Sequence, residues 1–389
     1  METTQEEINT MKSGGIYIHI PFCRHKCIYC DFYTGGQRIA HWDNYINSIL
    51  KEADIRQNEI QFKPSTLYFG GGTPSLIPEK HFEKLIRDLN EIIGNHRYDE
   101  FTLEVNPEDV DDAKARLWKD SGVNRISIGV QSLNDNELQK IGRLHDSVTT
   151  LKALEILKKH FPNISVDVMF GLPGQTLNSY RETLRKLIEL QPRHISAYSL
   201  MLEEGTALSL LEHQHKIIMP EESEWLEMFD HTIEFLNRNG YERYEISNYS
   251  LPGFESRHNS LYWSGAPYIG LGAGAHSYDG FNTRRANPND IKGYQSFYTR
   301  ESEISKPFYQ EEHLSDEELE EEFIMTRLRT SRGIDMNEFH NRFGNEREEE
   351  LVGKVQKYIS YGLIKKTDNT ISLSDQGFML YNSVVSDLI

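Results

Sequence analysis

Cysteine is nearly missing from this chain: 389 residues contain three, Cys23, Cys27 and Cys30, all within one run, PFCRHKCIYCDF. An odd thiol count confined to eight residues cannot frame a disulfide-stapled fold. Two separated cysteine pairs, the usual layout of structural zinc motifs, are absent as well. Long apolar runs are also lacking, with nothing near the roughly 18 consecutive apolar residues that a membrane-spanning helix needs. The opening segment METTQEEINTMKSGG is polar and has neither the basic nor the apolar region of a signal peptide. The expectation is therefore a cytoplasmic protein, with peripheral membrane contact left open. Positive charge is in deficit: 42 Lys and Arg face 60 Asp and Glu, for a formal net charge of −18. That balance argues against a generic nucleic-acid binder. No repeat and no low-complexity segment interrupts the chain.

What is present is a tight C-x3-C-x2-C loop. Three thiolates so spaced can hold three corners of a cubane [4Fe–4S] cluster, which Cys thiolates ordinarily ligate. With no other cysteine available, the fourth iron is left open to a small molecule. The alternative is a zinc site completed by His25 or Asp31. An exposed thiol-held cluster also calls for a reducing compartment.

Short β-rich runs alternate with amphipathic stretches over the first 200 residues. The runs 16–20, 66–70, 101–105, 125–129, 166–170 and 194–198 read as strands, and 41–60, 78–93, 109–121, 147–160 and 178–190 as helices. Six strand–helix alternations imply parallel βαβ units. Six are too few for a closed eight-fold barrel, so the expected α/β fold is an open (β/α)6 partial barrel. Ligands of such folds gather at the carboxyl ends of the strands, where the cysteine loop sits.

The two-residue period of a strand then selects side chains. Ile16, Ile18 and Ile20 take one face of the first strand, leaving Tyr17 and His19 on the other. By the same rule Glu104, Gln131 and Asp167 point into the barrel mouth with Tyr17. Each alone reads best as a solvated strand residue; four converging beside a cluster loop read as a site. The Gly70-Gly71-Gly72-Thr73-Pro74 turn follows the second strand and lets backbone approach a ligand closely. Arg143 is either a surface arginine or a fork for a carboxylate.

These motifs resemble the radical S-adenosylmethionine (SAM) superfamily. In that superfamily the amino and carboxylate groups of SAM chelate the open iron, and one electron cleaves the sulfonium to a 5′-deoxyadenosyl radical. The order IYIHIPFCRHKCIYCDF, YFGGGTPSL, LEVNPE, NRISIGVQSLNDNELQKIGRLHD, DVMFGLPGQT is similar to the oxygen-independent coproporphyrinogen III oxidase-like branch. The likeness covers nearly the whole chain. It implies that Cys23, Cys27 and Cys30 bind the cluster. It also implies that Tyr17, Gly71, Gly72, Thr73, Glu104, Gln131, Arg143 and Asp167 bind SAM. Two departures separate the chain from the decarboxylating oxidases of that branch. Phe32 stands where they carry a further cysteine, and only some 15 residues precede the first strand.

The hexapeptide His258-Asn259-Ser260-Leu261-Tyr262-Trp263, HNxxYW, is similar to the heme chaperone (HemW) family. That resemblance implies heme as a third ligand, with His258, Asn259, Tyr262 and Trp263 as its motif. An imidazole is a common haem ligand, and aromatic walls suit a tetrapyrrole. The competing readings are a histidine held by hydrogen bonds and a tryptophan that anchors a core. His276 is a second candidate ligand. The family further implies a heme-acceptor protein that could be membrane-bound, an electron donor, and chaperoning in place of catalysis. The alternative is an oxygen-independent coproporphyrinogen III oxidase or another tetrapyrrole-modifying radical SAM enzyme.

The expected organisation is an N-terminal tail (1–15), a radical SAM partial barrel (16–240), an α+β extension carrying HNxxYW (241–310) and a C-terminal winged-helix-like domain (311–389). In the last, an acidic helix at 315–331 and a helix at 346–361 precede a small hairpin around Asp368-Asn369. Its acidity argues against DNA as the partner.

Overall fold

A computed structural model describes residues 12–36, 41–94, 96–300 and 306–389. Most of the expected N-terminal tail lies outside them. Six strands, β1 (Ser13–Ile20), β2 (Lys63–Gly71), β3 (Glu100–Val105), β4 (Arg125–Gln131), β5 (Ile164–Phe170) and β6 (His194–Ser199), pair in chain order, each parallel to the next. Helices α1 (Trp42–Arg56), α2 (Glu79–Ile93), α3 (Asp112–Asp120), α4 (Asp135–Lys140), α5 (Ser147–His160) and α6 (Leu177–Glu189) fill the crossovers. This is the partial barrel anticipated from the alternation.

The outer faces of the strands carry the core. Ile16, Ile18 and Ile20 are fully buried in one cluster with Tyr45, Ile46 and Ile49, the apolar face of α1. Removing such side chains from water drives the assembly, at about 1.5–3 kcal/mol each. Residues one position along each strand point to the other face, into the barrel. There the sequence supplies polar groups instead: Tyr17, Thr66, Tyr68, Glu104, Arg125, Ser127 and Asp167. Side-chain caps mark the helix starts, Asp111 for α3, Asp146 for α5 and Thr176, in a capping box, for α6.

After α7 (Ala207–His213) and α8 (Glu222–Arg238) the sheet grows at both edges. Beyond β6, β8 (Asn248–Ser250) and then β7 (Glu242–Arg243) add antiparallel strands. The run after the HNxxYW hexapeptide supplies a further strand, β9 (Tyr268–Leu271), which pairs in parallel with β1. From β9 the sheet continues antiparallel through β10 (His276–Tyr278), β11 (Thr283–Ala286) and β12 (Gln310–His313). Twelve strands thus form one sheet.

Between β8 and β9 lies α9 (Arg257–Trp263), the helix made by RHNSLYW. After α10 (Ile291–Tyr298), the chain enters a second hydrophobic cluster, built on α11 (Asp316–Leu328), α12 (Met336–Ser360) and the C-terminal α13 (Asp375–Met379) and α14 (Tyr381–Leu388). Its small antiparallel sheet has the order β13 (Ile334–Asp335), β15 (Thr370–Leu373), β14 (Ile364–Lys366), with the hairpin turning at Asp368-Asn369. The helix expected at 346–361 is the second half of α12, which breaks at Gly344.

Candidate functional site

The cysteine loop leaves β1 at the end of the barrel where the parallel strands finish. It is tied down along its length. Arg24 pairs with buried Asp109 at 2.5 Å. The Ile28 N–H donates to the Ile141 carbonyl at 3.3 Å, and the Ile28 carbonyl accepts from the Leu208 N–H at 2.8 Å. The three thiols are half-buried and unpaired. Burial pushes the Cys23 and Cys30 thiols up; as ligands to a cluster they would bind as thiolates, with release of their protons.

The glycine turn closes over this loop. A Cβ on Gly72 would come within 2.8 Å of the Ile20 carbonyl oxygen and of Phe22 backbone atoms, so only glycine allows that approach. Gly71 has φ +107, the left-handed region that favours glycine, and a Cβ there would strike the His19 ring. The Gly71 N–H donates to Glu104 at 3.2 Å, and the Tyr68 hydroxyl donates to the same carboxylate at 2.7 Å. Burial raises the Glu104 carboxyl to about 7, countered by the Tyr68 hydrogen bond. Asp167, which accepts from Ser127 at 3.2 Å, is likewise raised by burial, to about 6. Two half-buried carboxyls poised near neutrality suit a cationic guest, which would favour their ionised forms.

A polar chain links two of the thiols. Thr73 donates to Cys23 Sγ at 3.5 Å and accepts from Asn106 Nδ2 at 3.3 Å. Asn106 Oδ1 accepts from Arg143 Nη2 at 2.8 Å, and Arg143 Nη1 donates to Cys27 Sγ at 3.7 Å. Arg143 also donates to the Gly129 carbonyl, and its Nε is buried without a partner. Gln131 closes the group with φ +64, a strained value for a residue other than glycine. Tyr17, Glu104, Gln131, Arg143 and Asp167 are therefore neighbours on the inward side of the barrel, beside Gly71, Gly72 and Thr73.

Two members of this group escaped sequence reasoning. Asn106 stands in LEVNPE directly after β3, where a polar strand-end residue was the available signal. His19 shares the inward face of Tyr17 and bonds its hydroxyl at 2.9 Å, while His19 Nε2 is buried without a partner. Burial lowers its pKa to about 4, so it stays a neutral ring.

The residues fit an iron–sulfur cluster better than a single ion. Among the described residues, no three His, Cys, Asp or Glu side chains converge to hold one metal ion. Zinc needs that convergence, whereas a cubane spreads its thiolate ligands over separate irons.

The HNxxYW residues lie at the other end of the barrel. Glu100, the first residue of β3, accepts from the Arg257 and His258 N–H groups at 2.8 and 3.1 Å and so anchors the start of α9. His258 is 1% exposed. Its Nδ1 bonds Thr66 Oγ1 at 2.7 Å, its Nε2 bonds the Tyr262 hydroxyl at 2.7 Å, and its ring stacks on Tyr68 at 4.9 Å. Burial, aided by the Arg125 guanidinium, lowers its pKa to about 3. Tyr262 and Trp263 are half-buried, and Arg329 lies 4.5 Å over the Trp263 ring. Asn259 donates its backbone N–H to the Ser256 cap at 3.3 Å. His276 is exposed on β10. Gly15, level with Thr66, lies five strand steps, roughly 17 Å, from Ile20 at the cysteine-loop end, but the His258 ring is 6.3 Å from the Tyr17 ring and stacks on Tyr68, so the helix touches the inward residues between the two ends.

Comparison with known proteins decides the family. The Radical SAM superfamily model matches residues 17–187, and the HemN C-terminal domain model matches 314–380. The heme chaperone HemW of Lactococcus lactis is 37% identical over 377 residues, 96% of each chain. The chain belongs to the HemW family. The HemW of Bacillus subtilis is 34% identical over 96% of this chain and 98% of its own. Among solved structures, Escherichia coli coproporphyrinogen III oxidase (HemN) superposes with a TM-score of 0.82 at 21% identity, covering 97% of this chain and 90% of that one. That likeness speaks for the fold alone. Phe32, the residue at which the sequence departs from the oxidase pattern, is exposed.

Proposed function

We propose that this chain is a heme chaperone that carries a [4Fe–4S] cluster and SAM and passes heme to an acceptor protein. The observation that carries the reading is full-length similarity to chaperones of that name, joined to an HNxxYW helix set apart from the cysteine loop. Cys23, Cys27 and Cys30 hold the cluster. When bound, the cluster supplies one electron, drawn from an external donor, and one open coordination position for SAM. The chain does the rest. The Gly71–Thr73 backbone and Glu104 receive the ammonium end of SAM, Arg143 pairs with its carboxylate, and Tyr17, Gln131 and Asp167 orient the remainder. His258, Asn259, Tyr262 and Trp263 form the heme motif, while His276 is the reserve ligand. The setting is cytoplasmic; no helix among the described residues is long and apolar enough to cross a membrane.

Reconstituted protein should bind hemin stoichiometrically and release it to an apo-acceptor. Reduced and given SAM, it should release no carbon dioxide from coproporphyrinogen III. Decarboxylation without heme retention would replace this reading with the oxidase one.

A further inference from the structure

A cavity of about 200 Å³ lies where α9 and the β9–β11 edge meet α11 and α12. Tyr262 and Trp263 of the heme motif form one wall, and C-terminal residues form the other. The charge in this seam runs against that of the whole protein. Three guanidiniums, Arg284, Arg327 and Arg342, line it with one carboxylate, Glu322, in a chain of net charge −18. Arg284 pairs with Glu322. Arg327 is committed to the Trp263 and Ser264 carbonyls and to Glu338. Arg342 is exposed and rests on the Phe323 and Phe343 rings at 5.7 and 5.4 Å. No carboxylate among the described residues pairs with it. Trp263, in the wall of the same cavity, buries its indole N–H without an acceptor.

An unpaired guanidinium fork and an orphaned indole N–H, set among aromatic rings, ask for a carboxylate attached to a flat apolar body. The volume is below the roughly 300 Å³ at which pockets begin to enclose a drug-sized ligand, so one edge of such a body enters and the rest stays outside. Resting on the chaperone reading, we infer that this seam receives the propionate-bearing edge of heme, with Arg342 and the Trp263 indole as the carboxylate donors. The C-terminal domain thereby forms half of the heme site. Nothing covalent occurs here, and both carboxylates remain ionised.

Hemin and its dimethyl ester, titrated separately into the full chain, test this. Wild type should bind hemin about tenfold or more tighter than the ester, the value of a charge-assisted hydrogen bond. Arg342→Gln should bring that ratio close to one, Arg342→Lys should keep part of it, and Trp263→Phe should narrow it. Because Arg342 is exposed, the thermal midpoint of Arg342→Gln should match wild type. Equal affinity of wild type for hemin and ester, or an unchanged ratio in Arg342→Gln, overturns the seam while leaving the chaperone reading standing. Failure of wild type to bind hemin at all overturns both.

Discussion

At the end of the barrel where the strands finish, Thr73 and Arg143 donate to the Cys23 and Cys27 sulfurs at 3.5 and 3.7 Å, and the His19 and Arg143 side chains each bury a nitrogen without a partner. At the end where the strands begin, both nitrogens of His258 are bonded at 2.7 Å and the ring is stacked. Buried polar groups are normally satisfied, so unsatisfied ones mark where a ligand completes the network. The first end is built around something the chain does not itself supply. At the second the His258 ring is fully bonded, so a ligand at that imidazole must displace an existing hydrogen bond or seat beside α9; the Arg125 Nε and the Trp263 indole N–H are buried donors left without partners there. On the proposed reading, a cofactor site held ready and a cargo site that must open are two different designs in one chain.

The sharpest way to break this contrast is to remove ligands at the first end. Cys23→Ala, Cys27→Ala or Cys30→Ala should each abolish a stable cluster, read as loss of iron and labile sulfide after anaerobic reconstitution. Retention of a full cluster in any one of them would remove that thiol from the ligand set. Next in size is His258→Ala. It deletes a buried ring and orphans Thr66 and Tyr262, and should cost about 3 kcal/mol in urea unfolding. A cost near zero would mean that the His258 ring is not the fully bonded group described.

Glu104→Gln should weaken SAM binding about tenfold, since a neutral amide replaces a charged acceptor. The same carboxyl sets a pH dependence. Its folded-state value, about 7, lies above the unfolded 4.5, so the folded protein holds the extra proton between those values. Stability of the SAM-free protein should therefore fall as pH rises from 5 to 8, and Asp167 at about 6 adds in the same direction. SAM should flatten that profile. A SAM-free protein whose melting point rises over this range would contradict the burial of both groups. The smallest effect is expected of Asn106→Ala. Arg143 loses one of its partners, and SAM affinity should drop about threefold to tenfold, the worth of a neutral hydrogen bond.

Much of the first end was legible because it is local. The cysteine spacing, the glycine turn and the inward face of each strand are short-range patterns, and the two-residue period pointed Tyr17, Glu104 and Asp167 correctly. Asn106 went unnoticed because its role depends on two partners, Thr73 and Arg143, that only the fold brings together. The second end was far less legible. His258 is satisfied by Thr66, 192 residues away, and β9 joins the sheet beside β1 across most of the chain. The motif marked out His258, but nothing in its neighbours along the chain shows that both ring nitrogens are taken. The seam with the C-terminal domain is a contact between segments whose sequences carry no shared pattern.

The claim that the cysteine loop and the heme motif are separate sites has one direct test. Hemin should be titrated into the C23S/C27S/C30S variant, which cannot hold the cluster, and into reconstituted wild type. With roughly 17 Å of strand between Ile20, at the cysteine loop, and the level of Thr66, the two dissociation constants should agree within about twofold. Loss of hemin binding together with the cluster would contradict the account.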